Sequence, residues 1–515
     1  MATEKSATPA WKQYNRNLFI KFLLAVWGYI KGVGLLLWSV IKAIPRKFVA
    51  FFVGIGRCFR GLWFRFIHGD WRTKLSYLIM GFGCFSRGPK QFLKGFLLLL
   101  VEALFVVFMV LLGGPNLAML GSLGKNTEGY DDDYNLIKGD NSLTILIFCV
   151  MSFILIIFFV YVYIKNTKIA YDTQKRVEEG KPLSNTRQQL SYALNDGYHI
   201  TVLALPVIGI LLITVLPLVC NILVAFTNYG YVANEPHYPP AQLFTWTGVD
   251  AFKFVFSQSY GSIIWKVLGW TLVWAVFATF SNFFFGMFLA MMINKKSIKL
   301  KGFWRTCFIL VIAVPDFVTL LMMSRFFGYS PDSTLTGPFN IIMRDFFGLK
   351  NTDWFGTYTN NALRARVMVI IVNLWRGMPF TMLATTGILL NIPEDLYESS
   401  RIDGAGPVRR FVSITFPYIM FVMAPQLITT FTGNINNFNV IYFLTGGGPD
   451  HNVSGTVIGD TDLLITWLYS LTIERPQPEY NNGAVIGIFT FIITSFFALI
   501  VFNSSKSIKQ EDTFK

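Results

Sequence analysis

The chain has 515 residues, of which 53% are hydrophobic and only 14% charged, and its mean hydropathy is +0.49. This composition excludes an ordinary soluble globular protein, because so apolar a chain needs lipid as the solvent for most of its length. The net charge of +15 fits contact with anionic membrane surfaces. Nucleic-acid binding, the other class that a basic chain suggests, has no supporting motif in this sequence.

The first part of the chain, residues 1–90, differs from the rest because basic residues interrupt its apolar runs. Lys21 and Lys31 break the first run without a small-residue cleavage site, so a cleavable signal peptide is not predicted. Between Trp11 and Lys90, further basic residues alternate with tryptophans. This mixture favours helices lying in the headgroup layer, with one or two additional spans as the alternative, since lysine can snorkel.

Beyond residue 90, long apolar runs predict about eight transmembrane helices, because a bilayer core requires roughly 20 apolar residues per helix. The runs cover Phe92–Gly113, Leu143–Ile164, Ile200–Phe226, Ile263–Ile293, Phe303–Phe327, Val367–Leu390, Phe416–Phe438 and Ala484–Phe502. They lack the alternation of barrel strands, so the predicted fold class is all-α, a polytopic membrane protein. A polar linker, Asn166–Asn195, separates an accessory pair of spans (91–197) from a block of six (198–515).

Basic residues concentrate in alternate loops, which predicts the orientation of the chain. The linker after the second span, the loop at 295–305 and the loop containing Arg401, Arg409 and Arg410 are rich in lysine and arginine. The intervening loops are poor in them, and one carries three aspartates at 131–133. By the positive-inside rule, the basic loops and both termini face the cytoplasm.

Residues of the types that build redox, metal or nucleotide sites are scattered. The five cysteines lie mostly inside apolar runs and are interpreted as packing residues. The four histidines are widely separated, and the glycines at 446–448 are not followed by the Gly-Lys-Ser/Thr of a phosphate-binding loop. No cofactor or metal is therefore predicted, and the chain is not expected to hydrolyse ATP.

Several polar residues fall inside predicted spans, where an unpaired polar group is costly and usually faces a cavity or a partner. They are Asp316, Asn373, Arg376, Asn434 and Asn437. With the ring of Phe380 for stacking, they offer the multidentate hydrogen bonding that sugars require. Asp316 and Arg376 either pair with each other or bind sugar hydroxyls, and Asn434 and Asn437 either bind sugar or bridge helices.

Between the sixth and seventh predicted spans, residues 391–417 form a polar loop with helix signals. Pro393 suits a first helical turn, Glu394 and Asp395 suit the positive end of a helix, and Gly404 and Gly406 suit its termination. The pattern predicts a short cytoplasmic helix. Its mixed apolar and small-residue surface is compatible with docking into a partner's groove, and equally with an ordinary connector.

Two short motifs of this loop resemble the EAA loop of ABC importer permeases. They are Glu398-Ser-Ser-Arg-Ile-Asp-Gly-Ala-Gly406 and Ile414-Thr-Phe-Pro417, with serines in place of two alanines and Phe416 in place of a leucine. In that family the loop forms a coupling helix that fits a cleft of the ATPase subunit. The resemblance implies coupling roles for Glu398, Ser399, Ser400, Asp403, Gly404, Gly406 and Pro417.

Motifs outside the loop are similar to the MalF-type permease subunit of ABC maltose/maltodextrin importers, from about Ile200 onward. They include Ala313-Val-Pro315, Ile371-Val-Asn-Leu-Trp375, Gly447-Gly-Pro-Asp450 and Thr461-Asp-Leu-Leu464. The resemblance implies substrate-binding roles for Asp316, Asn373, Arg376, Gly377, Phe380, Asn434 and Asn437. Asp316, Arg376 and Phe380 replace a serine, a leucine and a tyrosine of the family, so the identity of the sugar stays open.

The same resemblance implies the partners. They are a second permease subunit (MalG-like), a dimer of ATPase subunits (MalK-like) and an extracellular binding protein that delivers maltose or malto-oligosaccharides. A permease of the same family for a different oligosaccharide is the alternative. The loop from Asn228 to Tyr260 lacks the folded insertion of enteric maltose permeases, which favours a Gram-positive bacterium. A membrane enzyme acting on a lipid-linked sugar is disfavoured, because the spans hold only the isolated carboxylates Glu102 and Asp316.

Overall fold

The computed structural model describes residues 45, 49–50, 52–88, 91–126, 129–130, 136–137, 139–230, 243–295, 297–331, 336–453 and 456–504. These residues are mostly helical, with two short antiparallel hairpins, which confirms the predicted all-α class. The chain forms two compact units. We call Gly34–Ala251 the N-terminal unit and the part from Phe252 onward the C-terminal unit.

The N-terminal unit contains nine of the described helices and one hairpin. The helices are α1 (52–67), α2 (Trp71–Leu75), α3 (Phe82–Phe85), α4 (Phe92–Phe108), α5 (Gly114–Ala118), α6 (Ser142–Glu178), α7 (Thr186–Leu194), α8 (Tyr198–Gly209) and α9 (Leu216–Val224). π-Helical turns at Met109–Gly113 and Ile210–Val215 join α4 to α5 and α8 to α9, so each pair forms one span. Strands β1 (Gly129–Tyr130) and β2 (Leu136–Ile137) pair with Gly129 opposite Ile137.

Buried hydrogen bonds hold the segment 70–88 against α6 and α4. The Asn166 side chain of α6 accepts from the Gly81 N–H at 2.9 Å. The Glu102 carboxylate of α4 accepts from the Met80 N–H at 2.8 Å. Glu102 therefore has a structural partner in the segment 70–88.

The predicted headgroup-layer helices lie partly outside the described residues, which omit residues 1–44. Within the described part, α1 exposes large apolar side chains such as Phe59 and Trp63. Its location in the headgroup layer stays a prediction. The predicted linker Asn166–Asn195 is mostly helical, because α6 continues to Glu178 and α7 follows.

The C-terminal unit contains the remaining helices. They are α10 (Asp250–Val255), whose first two residues belong to the N-terminal unit, α11 (Gln258–Asn294), α12 (Lys301–Ala313), α13 (Asp316–Phe326), α14 (Pro338–Phe347), α15 (Ala362–Leu390), α16 (Glu394–Ile402), α17 (Pro407–Arg410), α18 (Phe416–Ile435), α19 (Phe438–Thr445), α20 (Leu464–Tyr469) and α21 (Tyr480–Ser504). π-Helical turns at Phe411–Thr415 and Ser470–Glu474 follow α17 and α20. Strands β3 (Asp450–Val453) and β4 (Thr456–Gly459) pair with Asp450 opposite Gly459.

The core of the C-terminal unit lies where α11, α13, α15 and α19 pack together. Trp274, Leu320, Val369 and Ile441, one from each helix, are completely buried. A second cluster centred on Phe283 of α11 connects this helix to α18. In lipid these contacts stabilise through close packing, because hydrocarbon tails are as apolar as leucine. The four helices therefore form a fixed frame for the polar side chains between them.

Seven helices of the described residues are long and apolar enough to span a membrane, and α12 with α13 forms a further pair bent by 94°. The predicted fifth span, Phe303–Phe327, therefore corresponds to this bent pair and not to one straight helix. Pro315 has no N–H to donate, and Val314 before it is extended with ψ 135°, so the helix ends at Ala313 and restarts at Asp316. The other seven predicted spans each correspond to one of the seven helices. The third, α8–α9, packs within the N-terminal unit, although the sequence groups it with the block 198–515.

Candidate functional site

A cavity of about 320 Å³ lies between α11, α12, α13, α15 and α18 in the C-terminal unit. Its polar lining residues are Thr279 and Asn282 of α11, Asp316 of α13, Asn373, Arg376 and Thr381 of α15, and Gln426, Thr430 and Asn434 of α18. Most residues on one helix are spaced three, four or eight apart, so they lie towards one face of that helix. The volume lies within the range of roughly 300–1,000 Å³ that small-molecule sites occupy.

Six of the seven predicted substrate-binding residues line this cavity. They are Asp316, Asn373, Arg376, Gly377, Phe380 and Asn434. The seventh, Asn437, lies outside the lining: its Nδ2 donates to Asn434 Oδ1 at 3.1 Å, and its Oδ1 accepts from the Val440 N–H at 3.3 Å. Asn437 therefore caps the start of α19 and orients Asn434.

The break between α12 and α13 brings a carboxylate to the cavity. Asp316 is the first residue of α13, where the positive end of the helix favours an anionic side chain. Arg376 Nη1 donates to Asp316 Oδ2 at 2.6 Å, with the two side chains 19% and 57% exposed. Of the two alternatives that the sequence left open, this structure contains the ion pair. Arg376 Nε is buried and finds no acceptor among the described residues, so the guanidinium keeps a further donor.

The amide side chains of the cavity differ in whether they have hydrogen-bond partners within the protein. Asn434 Nδ2 donates to Thr279 Oγ1 at 3.0 Å, which links α18 to α11. Asn373 is 1% exposed, and neither its Oδ1 nor its Nδ2 has a hydrogen-bond partner in the described part of the chain. The same holds for Asn282 Oδ1. We call Asn282 and Asn373 the open amides. A buried polar group left unpaired costs about 1–3 kcal/mol, so the open amides are suited to a polar ligand.

Sequence reasoning missed Asn282, Gln426 and Thr430. The signal that identifies Asn373, a polar residue inside an apolar span, applies equally to Asn282, which follows Ser281 in a run of phenylalanines. Gln426 follows Pro425 inside α18 and lies on the same face as Thr430 and Asn434. A search for every amide within a span would have found both Asn282 and Gln426.

The predicted short helix in the polar loop is present as α16. Pro393 precedes it, Glu394 and Asp395 occupy its first turn, and Gly404 follows it with φ +74°, a conformation that glycine adopts without strain. The Gly404 N–H donates to the Arg401 carbonyl at 3.0 Å, and the next N–H, that of Ala405, donates to the Ser400 carbonyl at 2.9 Å. These two bonds form a Schellman motif, so the end of the helix is fixed.

The surface of α16 is mostly exposed. Leu396 is 44% exposed and Ile402 87%, whereas Tyr397 and Ser400 are half-buried. The Tyr397 hydroxyl lies 2.9 Å from Thr415 Oγ1, just before α18. Of the other residues with predicted coupling roles, Glu398, Ser399 and Asp403 are exposed on or beside the helix, Gly406 caps α17 and Pro417 lies in the first turn of α18.

A second polar cluster lies beside the β3–β4 hairpin, where two motifs of the sequence meet. Asp462, 7% exposed, accepts from the Gly459 N–H and from the Thr466 hydroxyl, each at 2.8 Å. The Thr461 hydroxyl donates to the Gly447 carbonyl at 2.7 Å. We call these five residues the hairpin cluster. Burial raises the pKa of Asp462 to about 7, although the two donors act in the opposite direction.

Cysteine, histidine and carboxylate side chains are the groups that a metal or thiol site would use. Within the described ranges, no group of three or more His, Cys, Asp or Glu side chains is arranged to hold a metal ion. All five cysteines are free thiols, and Cys84, Cys149 and Cys220 are buried. The cavity between the helices and the exposed helix α16 hold the residues for which the sequence predicts substrate-binding and coupling roles.

The chain is similar to known proteins over most of its length. Residues 282–508 match the family model of the binding-protein-dependent transport system inner membrane component. The chain is 35% identical, over 85% of its length and 98% of the relative's, to the galactooligosaccharides transport system permease protein GanP of Bacillus subtilis (strain 168). It is 32% identical, over 82% and 93%, to the maltodextrin transport system permease protein MalC of Streptococcus pneumoniae. A bacterial ABC transporter involved in the import of alginate matches with a TM-score of 0.48 and 20% identity, over 62% of this chain and 99% of that one.

Proposed function

Since this chain belongs to the family of binding-protein-dependent transport system inner membrane components, we propose that it carries malto-oligosaccharides through the cavity between α11, α12, α13, α15 and α18. At the coarser level, it is a multi-pass membrane protein and an oligosaccharide permease of an ABC importer. Its relatives are named for maltodextrin and for galactooligosaccharides, so a galacto-oligosaccharide is the second candidate substrate.

The observation that carries the proposal is the pair of open amides in the cavity wall. An amide offers one donor group and one acceptor, and a sugar hydroxyl both donates and accepts, so the two match. Phe380 is 54% exposed and presents a ring on which the apolar face of a sugar can stack. Arg376 and Asp316 offset each other's charge, which suits a neutral ligand better than an ionised one.

The proposed assembly places α16 on the cytoplasmic side, with both termini on that side, because the basic loops face the cytoplasm. A second permease subunit, a dimer of ATPase subunits and an extracellular binding protein complete it. ATP is hydrolysed by the ATPase partner. In this arrangement residues 1–90 lie at the membrane surface, 91–197 form an accessory part, and 198–515 form the permease core with its coupling loop at 391–417.

The contacts of α16 suggest how movement reaches the cavity. The Tyr397–Thr415 hydrogen bond connects α16 to the π-helical turn that leads into α18. Gln426, the first polar residue of α18 in the cavity wall, lies about 17 Å further along at 1.5 Å per residue. A displacement of α16 by the ATPase would therefore be transmitted along one continuous helix to the cavity.

The coupling role is tested by replacing Glu398 and Gly404 together, Glu398→Ala with Gly404→Ala. The alanine at 404 strains the left-handed turn, and the loss of Glu398 removes an exposed carboxylate from the docking face. We expect at least about a tenfold loss of uptake and loss of ATPase subunits from the purified complex, as befits a lost docking contact. Asp345→Ala, an exposed carboxylate outside the loop, is the control. Unchanged uptake and unchanged ATPase association would reject the coupling role.

The substrate is tested by uptake in a strain that lacks this chain and carries it on a plasmid. We expect the plasmid to restore uptake of labelled maltotriose and maltotetraose. Restoration of galacto-oligosaccharide uptake alone would favour the second candidate. If the plasmid restores neither, while the chain is present in the membrane together with its partners, the proposed function fails.

A further inference from the structure

The side chain of Asn282 combines two observations that point to a ligand. It lies on α11 between Thr279 and Phe283, on the face that lines the cavity. Its Oδ1 is buried and has no donor among the residues that the structure describes. Its neighbour Thr279 accepts a hydrogen bond from Asn434 within the protein. Asn282 is therefore the polar residue of this α11 face whose side-chain oxygen is available to a ligand.

Gly377 of α15 explains how Asn282 fits there. A methyl group added at Gly377 would lie 2.7 Å from Asn282 Cγ and 3.0 Å from Oδ1, closer than side-chain atoms tolerate. The amide of Asn282 therefore rests directly on the bare Cα of Gly377. Asn373, the other open amide, is one helical turn earlier on the same face of α15.

We propose that Asn282 is a further sugar-recognising residue, which holds the hydroxyls of a neutral glycosyl unit together with Asn373, and that Gly377 is a positioning residue that acts through Asn282. This inference rests on the proposed function. Two amides supply two acceptors and four N–H donors, which match neighbouring hydroxyls on one sugar ring. Gly377, which the resemblance marks as a substrate contact, then contributes by leaving room for the amide rather than by touching the sugar.

The experiment compares three variants of the assembled transporter in proteoliposomes: Asn282→Ala, Gly377→Ala and the double variant. Asn282 Oδ1 has no partner among the described residues, so Asn282→Ala leaves no internal donor to that oxygen unsatisfied and we expect normal assembly. Uptake of maltotriose, as kcat/KM, should fall about tenfold, the loss expected when a ligand hydrogen bond is removed. Asn282→Leu, which keeps the side-chain volume, should behave in the same way.

The double variant separates positioning from contact. If Gly377 acts through Asn282, Gly377→Ala lowers uptake by itself but adds nothing to Asn282→Ala. Gly387→Ala is the matched control on the same helix, because no atom lies within 4 Å of the added methyl. A double variant markedly worse than Asn282→Ala would overturn the positioning role of Gly377.

The outcome for Asn282 is distinguishable from failure of the proposed function. If the wild-type transporter moves maltotriose and both Asn282 variants move it equally well, Asn282 does not recognise the sugar, and the proposed function stands. If the wild-type transporter moves neither malto- nor galacto-oligosaccharides, the proposed function itself fails.

Discussion

The cavity and the hairpin cluster both bury polar side chains in the C-terminal unit, but they differ in whether those side chains have hydrogen-bond partners within the protein. In the hairpin cluster, Asp462 has a donor for each carboxylate oxygen, and the Thr461 hydroxyl has an acceptor. In the cavity, Asn282, Asn373 and Arg376 hold four of the eleven buried side-chain nitrogen and oxygen atoms that lack a partner in the described residues. The other seven belong to seven separate residues.

This contrast separates polar groups that stabilise the fold from polar groups that serve a ligand. When one member of a buried hydrogen-bonded pair is removed, the protein loses much stability, because the other member is left unsatisfied. A buried polar group with no partner already lowers the stability of the fold. Replacing it with an apolar group of similar shape is therefore neutral or stabilising. The two regions should therefore respond in opposite ways to substitution.

The largest effect on stability is expected for Asp462→Ala in the hairpin cluster. It leaves the Gly459 N–H without an acceptor and leaves the Thr466 hydroxyl with only the Leu463 carbonyl, 3.2 Å away. A loss of about 1–3 kcal/mol is expected for the one buried donor that is left unsatisfied. The measurement is thermal unfolding of the detergent-solubilised transporter. Asp450→Ala, an exposed carboxylate on the same hairpin, is the control. Equal unfolding temperatures for both variants would remove the distinction between the two regions.

A smaller effect, specific to pH, is expected from the raised pKa of Asp462. Its native pKa of about 7 lies above the ordinary value of 3.8, so the native state favours the protonated carboxyl. The stabilisation from this group is complete below the ordinary value and is lost as the pH rises through 7. The unfolding temperature should therefore fall between pH 5 and pH 8, and Asp462→Asn, which stays uncharged, should flatten that slope. A slope unchanged by Asp462→Asn would assign the pH dependence to other groups.

The smallest effect is expected for Asp316→Asn at the rim of the cavity. The Arg376–Asp316 ion pair is partly exposed, and such pairs contribute only about 0–1 kcal/mol. The unfolding temperature should change far less than for Asp462→Ala, and by an amount comparable with Asp345→Asn in the exposed Arg344–Asp345 pair. A loss as large as that of Asp462→Ala would make Asp316 part of the structural network.

Much of the fold follows from features that the sequence displays directly. Apolar length predicts the spans, and Gly404 predicts the end of α16, because each depends on residues close together in the chain. The sequence shows Pro315, where α12 and α13 separate, but it does not give the angle of 94° between the two helices.

The candidate site is predictable in its members but not in their roles. Asn373 and Asn434 look alike in the sequence, as polar residues inside spans. The structure separates them because Thr279 of α11 faces Asn434 and no described residue bonds to Asn373. Whether a buried amide has a partner depends on the residues of the facing helix. The sequence around the amide does not show which residues those are.

Asn373→Leu tests most directly whether the open amides of the cavity bind the sugar rather than stabilise the fold. The decisive measurement is the initial rate of maltotriose uptake by the reconstituted transporter, taken together with its unfolding temperature. We predict at least about a tenfold loss of uptake, since two ligand hydrogen bonds are removed, with an unfolding temperature that is unchanged or higher. Unchanged uptake, or destabilisation as large as that of Asp462→Ala, would contradict the account.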